Sequence, residues 1–118
     1  MKDNSTIIDN DTTLAIGDGD NDFLKEIIDL FLDDSQKLLT KIENAIQSEN
    51  SDELRRFAHS LKGSAGHFGA SRLFNTAYKM EIMGKMKEFS DAQEFFPYVK
   101  KETDKAREAL MEFISNNI

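Results

Sequence analysis

Apolar and polar positions follow a helical period through most of this 118-residue chain. From position 23 onward, apolar side chains return every three or four residues, which is the spacing of one buried face on an α-helix. Nowhere does a β-branched run alternate with a period of two, so no β-strand is predicted. The pattern predicts amphipathic helices over about 21–48, 51–66, 72–87 and 91–115, preceded by a short helix over 10–16.

Four amphipathic helices joined by short loops predict an all-α fold. We expect an antiparallel up-down-up-down four-helix bundle with a short extra N-terminal helix. Residues 1–9 are predicted to be a flexible polar tail, and residues 10–118 to form the single bundle domain. The chain length fits one domain with a hydrophobic core of its own.

Several predicted helix ends carry capping signals. Gly66 or Gly69 is expected to take the left-handed conformation at the end of the second long helix. Pro97 predicts either an irregular first turn of the last helix or a true start at Pro97. Candidate N-caps are, in chain order, Asn10 or Asp11, the last residue of the loop GDGDND (17–22), Asn50 paired with Glu53, and Ser71.

The helix over 72–87 has one inward face and a methionine-rich end. We expect Leu73, Phe74, Ala77 and Met80 to face the core. Two further methionines, at positions 83 and 86, lie off this stripe. We expect both to fill the core edge, with an exposed docking patch as the alternative.

Charge and composition exclude several classes of function. With a net charge of −7, the chain would repel a phosphate backbone, so nucleic acid is not an expected partner. There is no cysteine, which excludes disulfides and thiolate metal sites, and we predict no metal site or cofactor. No apolar run approaches the roughly 18 residues of a membrane span, and no secretion signal is evident, so we expect a cytoplasmic protein. The pattern predicts no strongly apolar exposed surface that demands a dimer, so we expect a monomer.

His59 is predicted to face solvent. At about 100° per residue, it lies roughly 140–150° from the centre of the stripe formed by Leu54, Leu61 and Ala65. Gly63, four residues later, is its neighbour on the helix surface and leaves room for a partner to approach the ring. A neutral imidazole has a nitrogen lone pair that is a competent nucleophile toward phosphorus. The alternative is an ordinary solvated histidine beside an incidental glycine.

Positive charge surrounds this histidine on an otherwise acidic chain. Lys62 follows it by three residues and is placed to bind phosphoryl oxygens, and Ser64 offers a hydroxyl. Arg55 and Arg56 lie one turn earlier. The basic cluster suits an acidic partner surface, and we expect Gly66 to lie on the same partner-binding face.

At these positions the chain resembles the histidine-containing phosphotransfer (HPt) domains of multistep two-component relays. The family pattern His-x-Leu-Lys-Gly-Ser-x-x-x-x-Gly-Ala-x-x-Leu runs without a gap from His59 to Leu73. The stretches 23–46 and 51–63 also look like the first long helix and the active-site helix of that family. The resemblance covers roughly residues 10–115.

The resemblance implies that His59 accepts a phosphoryl group from a receiver-domain aspartate and passes it to another. It implies a phosphocarrier with no ATP site of its own, served by a hybrid sensor kinase and by receiver domains that supply Mg²⁺. The family often places a glutamine or glutamate near the histidine, and Glu81 occupies that position. Glu81 either orients the His59 ring or is a surface acid that pairs with Lys62 or Lys85.

Two other functions stay open at this point. One is a binding module that docks a receiver or kinase without accepting phosphate, although the intact His59, Lys62 and Gly63 argue against it. The other is a histidine-kinase dimerisation domain, which would need an attached ATP-binding domain. Met1 and the polar tail favour a free-standing protein, and a segment of a larger hybrid kinase is the alternative.

Overall fold

The computed structural model describes residues 5–118, and this part of the chain is helical, without a β-strand. The helices start and end close to the predicted positions. In chain order they are α1 (Asn10–Gly17), α2 (Asn21–Gln47), α3 (Ser51–His67), α4 (Ser71–Lys85) and α5 (Phe89–Asn117).

The four long helices form a closed bundle. Each long helix packs against the next in the chain, and α5 packs back against α2. Because the connections are short, successive helices run antiparallel, which is the predicted up-down-up-down arrangement. The short α1 packs against α2 and α3. Within residues 5–118, no helix is long and apolar enough to cross a membrane.

The core contains the predicted apolar stripes, with two exceptions on and after α4. Phe74 was predicted to face inward, but 37% of it is exposed, because it lies at the edge of the stripe formed by Leu73, Ala77 and Met80. The prediction that Met83 fills the core edge is confirmed, since it packs against the core from a partly buried position. The same prediction for the methionine at position 86 is wrong, since 60% of that residue is exposed.

Two of the predicted caps are in place. The Asn50 side chain accepts a hydrogen bond from the Glu53 amide at 3.0 Å and so caps α3. Gly69 has a φ of +61°, so it takes the left-handed role predicted for Gly66 or Gly69. A Cβ there would lie 2.6 Å from the Asp9 Cβ, so glycine also allows the N-terminal segment to approach.

Other predicted caps are wrong by one or two residues. Asp9, rather than Asn10 or Asp11, caps α1. Asp20 caps α2, two residues before the end of the predicted loop. Ser71 is the first residue of α4 rather than its N-cap. The N-cap position is held by Ala70, which makes no side-chain capping hydrogen bond.

Residues 5–9 hydrogen-bond to the turn between α3 and α4, which explains the different role of Ser71. The Thr6 carbonyl accepts hydrogen bonds from the Ser71 hydroxyl at 3.3 Å and from the Arg72 amide at 3.1 Å. The Asp9 amide donates to the Phe68 carbonyl at 2.8 Å. Residues 1–4 of the predicted tail lie outside the described residues, and the domain limit at position 10 stays a prediction.

Pro97 lies inside α5 and neither starts the helix nor disturbs its first turn, so the prediction for this residue is wrong. A proline within a helix removes one hydrogen bond, here the bond to the Gln93 carbonyl. Both residues are exposed, so water can satisfy that carbonyl. Ala92 and Val99 on either side are fully buried, and their packing keeps the helix continuous.

The backbones of α3 and α4 approach one another closely, and this approach positions the site. A Cβ at Gly84 would lie 2.9 Å from the Arg55 backbone nitrogen, so no larger residue fits there without a shift. The Ser51 hydroxyl donates to the Gly84 carbonyl at 2.6 Å. Side chains on the outer edges of the two helices can therefore meet.

Candidate functional site

His59 lies on the outer face of α3, as the helix phase predicts. The side chain is 62% exposed. The residue before it, Ala58, and the residue two positions after it, Leu61, are fully buried. The core therefore fixes the orientation of the helix, and the imidazole stands on the opposite side, in solvent.

One ring nitrogen of His59 is held by the neighbouring helix. Nδ1 lies 2.9 Å from Oε2 of Glu81 on α4. An ionised carboxylate only accepts hydrogen bonds, so Nδ1 must be the donor. In a neutral imidazole, a proton on Nδ1 leaves the lone pair on Nε2. The contact therefore selects the tautomer in which Nε2 is the nucleophilic nitrogen.

The second oxygen of Glu81 binds Lys62. The Lys62 ammonium lies 2.7 Å from Oε1, and the two side chains are only 18% and 17% exposed. Glu81 thus contacts two of the three residues that were predicted as its alternative partners, His59 and Lys62. One carboxylate ties together two side chains that stand three residues apart on α3.

Two opposing effects act on the Glu81 carboxyl. Burial is the largest single influence and acts to raise the pKa. The hydrogen bonds from Lys62 and His59, together with their positive charge, outweigh it and hold the pKa of Glu81 below its ordinary value of 4.5. Glu81 is therefore a carboxylate at neutral pH, as the contact with Nδ1 requires.

Two aromatic rings of α4 lie over Lys62, and the sequence analysis missed this role. The ammonium is 5.0 Å from the centre of the Tyr78 ring and 5.9 Å from that of Phe74. Both distances suit cation–π attraction. The available signal was the spacing: Phe74, Tyr78 and Glu81 follow one another at four- and three-residue steps along α4.

The two predicted glycines play different parts. A Cβ at Gly63 would meet nothing within 4 Å, so the surface beside His59 is open, as predicted. A Cβ at Gly66 would lie 3.8 Å from the Phe74 ring, so Gly66 lies under that ring. Gly63 leaves space for a partner to approach His59, whereas Gly66 lies next to Phe74, one of the two rings over Lys62.

The remaining predicted residues lie around this cluster. Arg55 and Arg56 are exposed one turn before His59 on α3. The Arg56 guanidinium lies 5.0 Å from the centre of the Phe57 ring. Ser64 is partly buried, and at about 100° per residue it stands roughly 140° around the helix from His59. Its part in the site stays a prediction.

No group of three or more histidine, cysteine, aspartate or glutamate side chains is arranged to hold a metal ion within residues 5–118. The features of the site are an exposed imidazole, a carboxylate that orients it, a nearby ammonium and an open approach. Such an arrangement can accept a group on one defined ring nitrogen and release it again.

The sequence profile described as "Hpt domain" matches residues 26–109, which is more than half of the chain. The chain belongs to the Hpt domain family. The match contains the whole of α3 and α4, and with them every residue of the cluster around His59.

Relatives of this Hpt chain are found in several organisms. The phosphorelay intermediate protein rdeA of Dictyostelium discoideum is 24% identical over 108 residues, which is 92% of this chain and 42% of the relative. The phosphorelay intermediate protein YPD1 of Saccharomyces cerevisiae is 30% identical over 85 residues, or 71% of this chain and 48% of the relative. A histidine-containing phosphotransfer protein 1 of Oryza sativa is 32% identical over 57 residues, or 47% and 39%. The chain spans less than half the length of each.

Solved structures of other Hpt proteins share the fold. Histidine-containing phosphotransfer protein B (HptB) from Pseudomonas aeruginosa PAO1 superimposes with a TM-score of 0.87 at 21% identity, covering 97% of this chain and 99% of that one. The HPT domain of a sensor hybrid histidine kinase from Shewanella gives a TM-score of 0.76 at 17% identity, covering 93% and 95%. The five-helix architecture is therefore that of known Hpt domains.

Proposed function

We propose that this protein is a phosphorelay intermediate. A receiver-domain aspartyl phosphate gives its phosphoryl group to His59, and His59 gives it to an aspartate of another receiver domain. In the first step a bond forms between Nε2 and phosphorus while the bond from phosphorus to the aspartyl oxygen breaks and releases a carboxylate. The second step is the reverse. The exposed imidazole, held through Nδ1 by Glu81, is the observation that carries the proposal.

In this proposal Glu81 orients the nucleophile. It holds the proton on Nδ1, so the Nε2 lone pair is directed away from α4. It also stabilises the positive charge that develops on the ring when Nε2 is phosphorylated. Both effects need the carboxylate form, which the lowered pKa of Glu81 favours at neutral pH.

Lys62 and Gly63 serve the incoming phosphoryl group. The Lys62 ammonium adds positive charge beside His59 and stabilises the phosphoryl oxygens. Gly63 leaves the approach open, since a Cβ there would touch nothing within 4 Å. A role for Ser64 stays a prediction from the motif, because this residue stands roughly 140° around α3 from His59.

The partner in each step is an acidic surface. Arg55, Arg56 and Lys62 form a basic cluster on a chain whose net charge is −7, and Gly66 borders it. Opposite local charges speed encounter and fix the orientation of docking. The carboxylate-rich active end of a receiver domain has the matching charge.

The protein acts as a carrier and not as an enzyme with a substrate of its own. It needs no ATP site, because the phosphoryl group arrives already activated as an aspartyl phosphate. Any Mg²⁺ belongs to the receiver. We place the protein in the cytoplasm, as a monomer, between a hybrid sensor kinase and response regulators.

The comparisons support the proposal at two levels. Membership of the Hpt family covers the helices that carry the cluster. Two of the relatives that align with this chain are phosphorelay intermediate proteins, and the alignment with rdeA spans 92% of this chain.

The direct experiment is phosphotransfer from a radiolabelled, phosphorylated receiver domain. We expect acid-labile, alkali-stable label on the wild-type chain, which is the behaviour of a phosphoramidate. His59→Gln should take no label, while its circular dichroism spectrum and melting temperature stay close to wild type, because the ring is exposed.

The second histidine of the chain provides the matched control. His67 is exposed at the end of α3, so His67→Gln makes the same chemical change at a neighbouring position. This variant should take label at the wild-type rate. Label that persists in His59→Gln, or that disappears in His67→Gln, would contradict the proposal.

A further inference from the structure

Lys62 is far less exposed than its position on α3 suggests. It follows His59 by three residues, and His59 is 62% exposed, yet the Lys62 side chain is only 18% exposed. A long flexible side chain at the edge of a helix normally keeps its ammonium in water. Something must therefore cover it.

The cover is aromatic and comes from α4. The Tyr78 ring lies 5.0 Å from the ammonium and the Phe74 ring 5.9 Å. Tyr78 and Phe74 are themselves 47% and 37% exposed, so their outer faces meet solvent while their inner faces meet Lys62. Phe74 lies over Gly66, where a Cβ would make an ordinary contact with the ring at 3.8 Å.

The rings over Lys62 strengthen its ion pair with Glu81. An exposed lysine–carboxylate pair contributes little, because water competes and the lysine side chain loses conformational freedom. A ring over the ammonium excludes water from one side and restricts the side chain before the carboxylate binds it. The Lys62 to Glu81 contact is thereby fixed, and the same Glu81 holds Nδ1 of His59.

We propose that Tyr78 is a positioning residue for His59, acting through Lys62 and Glu81. The ring holds the ammonium, the ammonium holds the carboxylate, and the carboxylate holds the imidazole in the tautomer with a free Nε2. The inference rests on the proposed function for its catalytic meaning. The chain of contacts itself can be tested without any phosphotransfer.

The test compares Tyr78→Leu, Tyr78→Phe and a control at the other tyrosine, Tyr98→Leu. Tyr98 is 61% exposed on α5, where its ring stacks on Phe95 at 5.8 Å, so it matches Tyr78 in type and exposure. It borders the same groove as Tyr78, but the rings that lie over Lys62 within residues 5–118 are those of Tyr78 and Phe74. The first readout is the pair of ¹⁵N chemical shifts of the His59 ring at about pH 8, where a neutral imidazole reports its tautomer. The second is the rate of phosphotransfer from a phosphorylated receiver.

We expect Tyr78→Leu to raise the share of the Nε2–H tautomer and to slow phosphotransfer about three- to tenfold, the range that a partly desolvated cation–π contact supports. Tyr78→Phe keeps the ring and should restore both readouts. Tyr98→Leu should match wild type in both. In a Lys62→Met background, which lacks the ammonium, Tyr78→Leu should change the ¹⁵N shifts no further.

The outcomes separate this inference from the proposed function. Identical His59 shifts in Tyr78→Leu and Tyr98→Leu overturn the inference, even if the wild-type chain transfers phosphate normally. If Tyr78→Leu changes the His59 shifts in the Lys62→Met background as well, the effect does not pass through Lys62, and that part of the inference is overturned. A third outcome is that the wild-type chain accepts no phosphoryl group while Tyr78→Leu still alters the His59 shifts. That result overturns the relay function and leaves the positioning role supported.

Discussion

Among residues 5–118, two ion pairs made by a lysine or an arginine link neighbouring helices of the bundle, and their distances are nearly the same. Lys62 and Glu81 join α3 to α4 at 2.7 Å, and Arg72 and Glu102 join α4 to α5 at 2.6 Å. The two carboxylates are 17% and 9% exposed. The distances and the exposed fractions alone do not indicate which of the two pairs has a role in function.

The difference lies in the third group that joins the Glu81 pair and in the surface beside it. Glu81 also holds an exposed imidazole, next to a glycine that leaves the approach open. Glu102 sits beside Thr103, whose hydroxyl bonds to the Val99 carbonyl within α5. In the proposed function, the Lys62–Glu81 pair belongs to the reactive site because a third, accessible group joins it, and the Arg72–Glu102 pair has a structural role.

The largest expected effect concerns the open surface at Gly63, beside His59. A variant that fills this surface with a side chain tests its importance. Gly63→Gln should slow phosphotransfer by about a hundredfold or more, because the new side chain stands beside the His59 ring where the partner must approach. Helix propensity alone predicts a gain in stability of up to about 1 kcal/mol. Single-turnover transfer assays and thermal melts measure the two effects separately.

Gly63→Ala provides the control for Gly63→Gln. It makes the same change in backbone propensity with far less bulk, and it should retain most of the transfer rate. A Gly63→Gln variant that transfers as fast as wild type would contradict the open-surface account.

The two carboxylates can be exchanged for leucine to separate their roles. Glu102→Leu leaves Arg72 without its partner and should lower the free energy of unfolding by about 2 kcal/mol, with transfer within about twofold of wild type. Glu81→Leu removes the group that orients His59 and should slow transfer about tenfold, which corresponds to the loss of one charge-assisted hydrogen bond. Denaturant unfolding and transfer assays on both variants give the comparison.

Equal effects of the two leucine substitutions on phosphotransfer would contradict the distinction drawn between the pairs. So would a Glu81→Leu variant with wild-type transfer and a large loss of stability, since Glu81 would then be a structural residue like Glu102.

The smallest effect is the pH dependence of the Glu81 pair. The pKa of Glu81 is lowered in the folded state, so its ionisation stabilises the fold fully above 4.5 and less as the pH falls through the folded-state pKa. The difference in unfolding free energy between wild type and Glu81→Gln should therefore shrink as the pH falls below about 4.5, by less than about 1 kcal/mol.

The sign of this pH dependence is informative because burial and hydrogen bonding oppose each other at Glu81. A difference that grows toward acid would mean that burial prevails and that the carboxyl is protonated more readily in the folded protein. Guanidinium unfolding at several pH values between about 3 and 5 distinguishes the two signs.

The periodicity of apolar residues predicts most of the fold and the part of the site that lies on α3. The helical phase alone placed His59 in solvent and Gly63 beside it, because both lie on one helix whose buried stripe is unmistakable. Local patterns were less reliable where tertiary contacts intervene. Ser71 bonds to the N-terminal segment instead of capping α4, and Pro97 is carried within α5 because buried residues flank it on both sides.

The other side of the site depends on contacts between helices, which a single sequence does not specify. Glu81 could be placed near His59, but its simultaneous contact with Lys62 depends on how closely Gly84 lets α4 approach α3. Phe74 was assigned to the core because it borders the buried stripe. Its actual position over Lys62, together with that of Tyr78, required the interhelical geometry.

The most direct test of the central claim is to find which nitrogen carries the phosphoryl group. The phosphorylated wild-type chain, labelled with ¹⁵N at histidine, can be examined by ³¹P and ¹⁵N NMR spectroscopy under alkaline conditions, where phosphohistidine persists. If Glu81 holds Nδ1 of His59 as described, phosphorus will be bonded to Nε2 of that ring alone. Phosphorus on Nδ1 of His59, or on His67, would contradict the account.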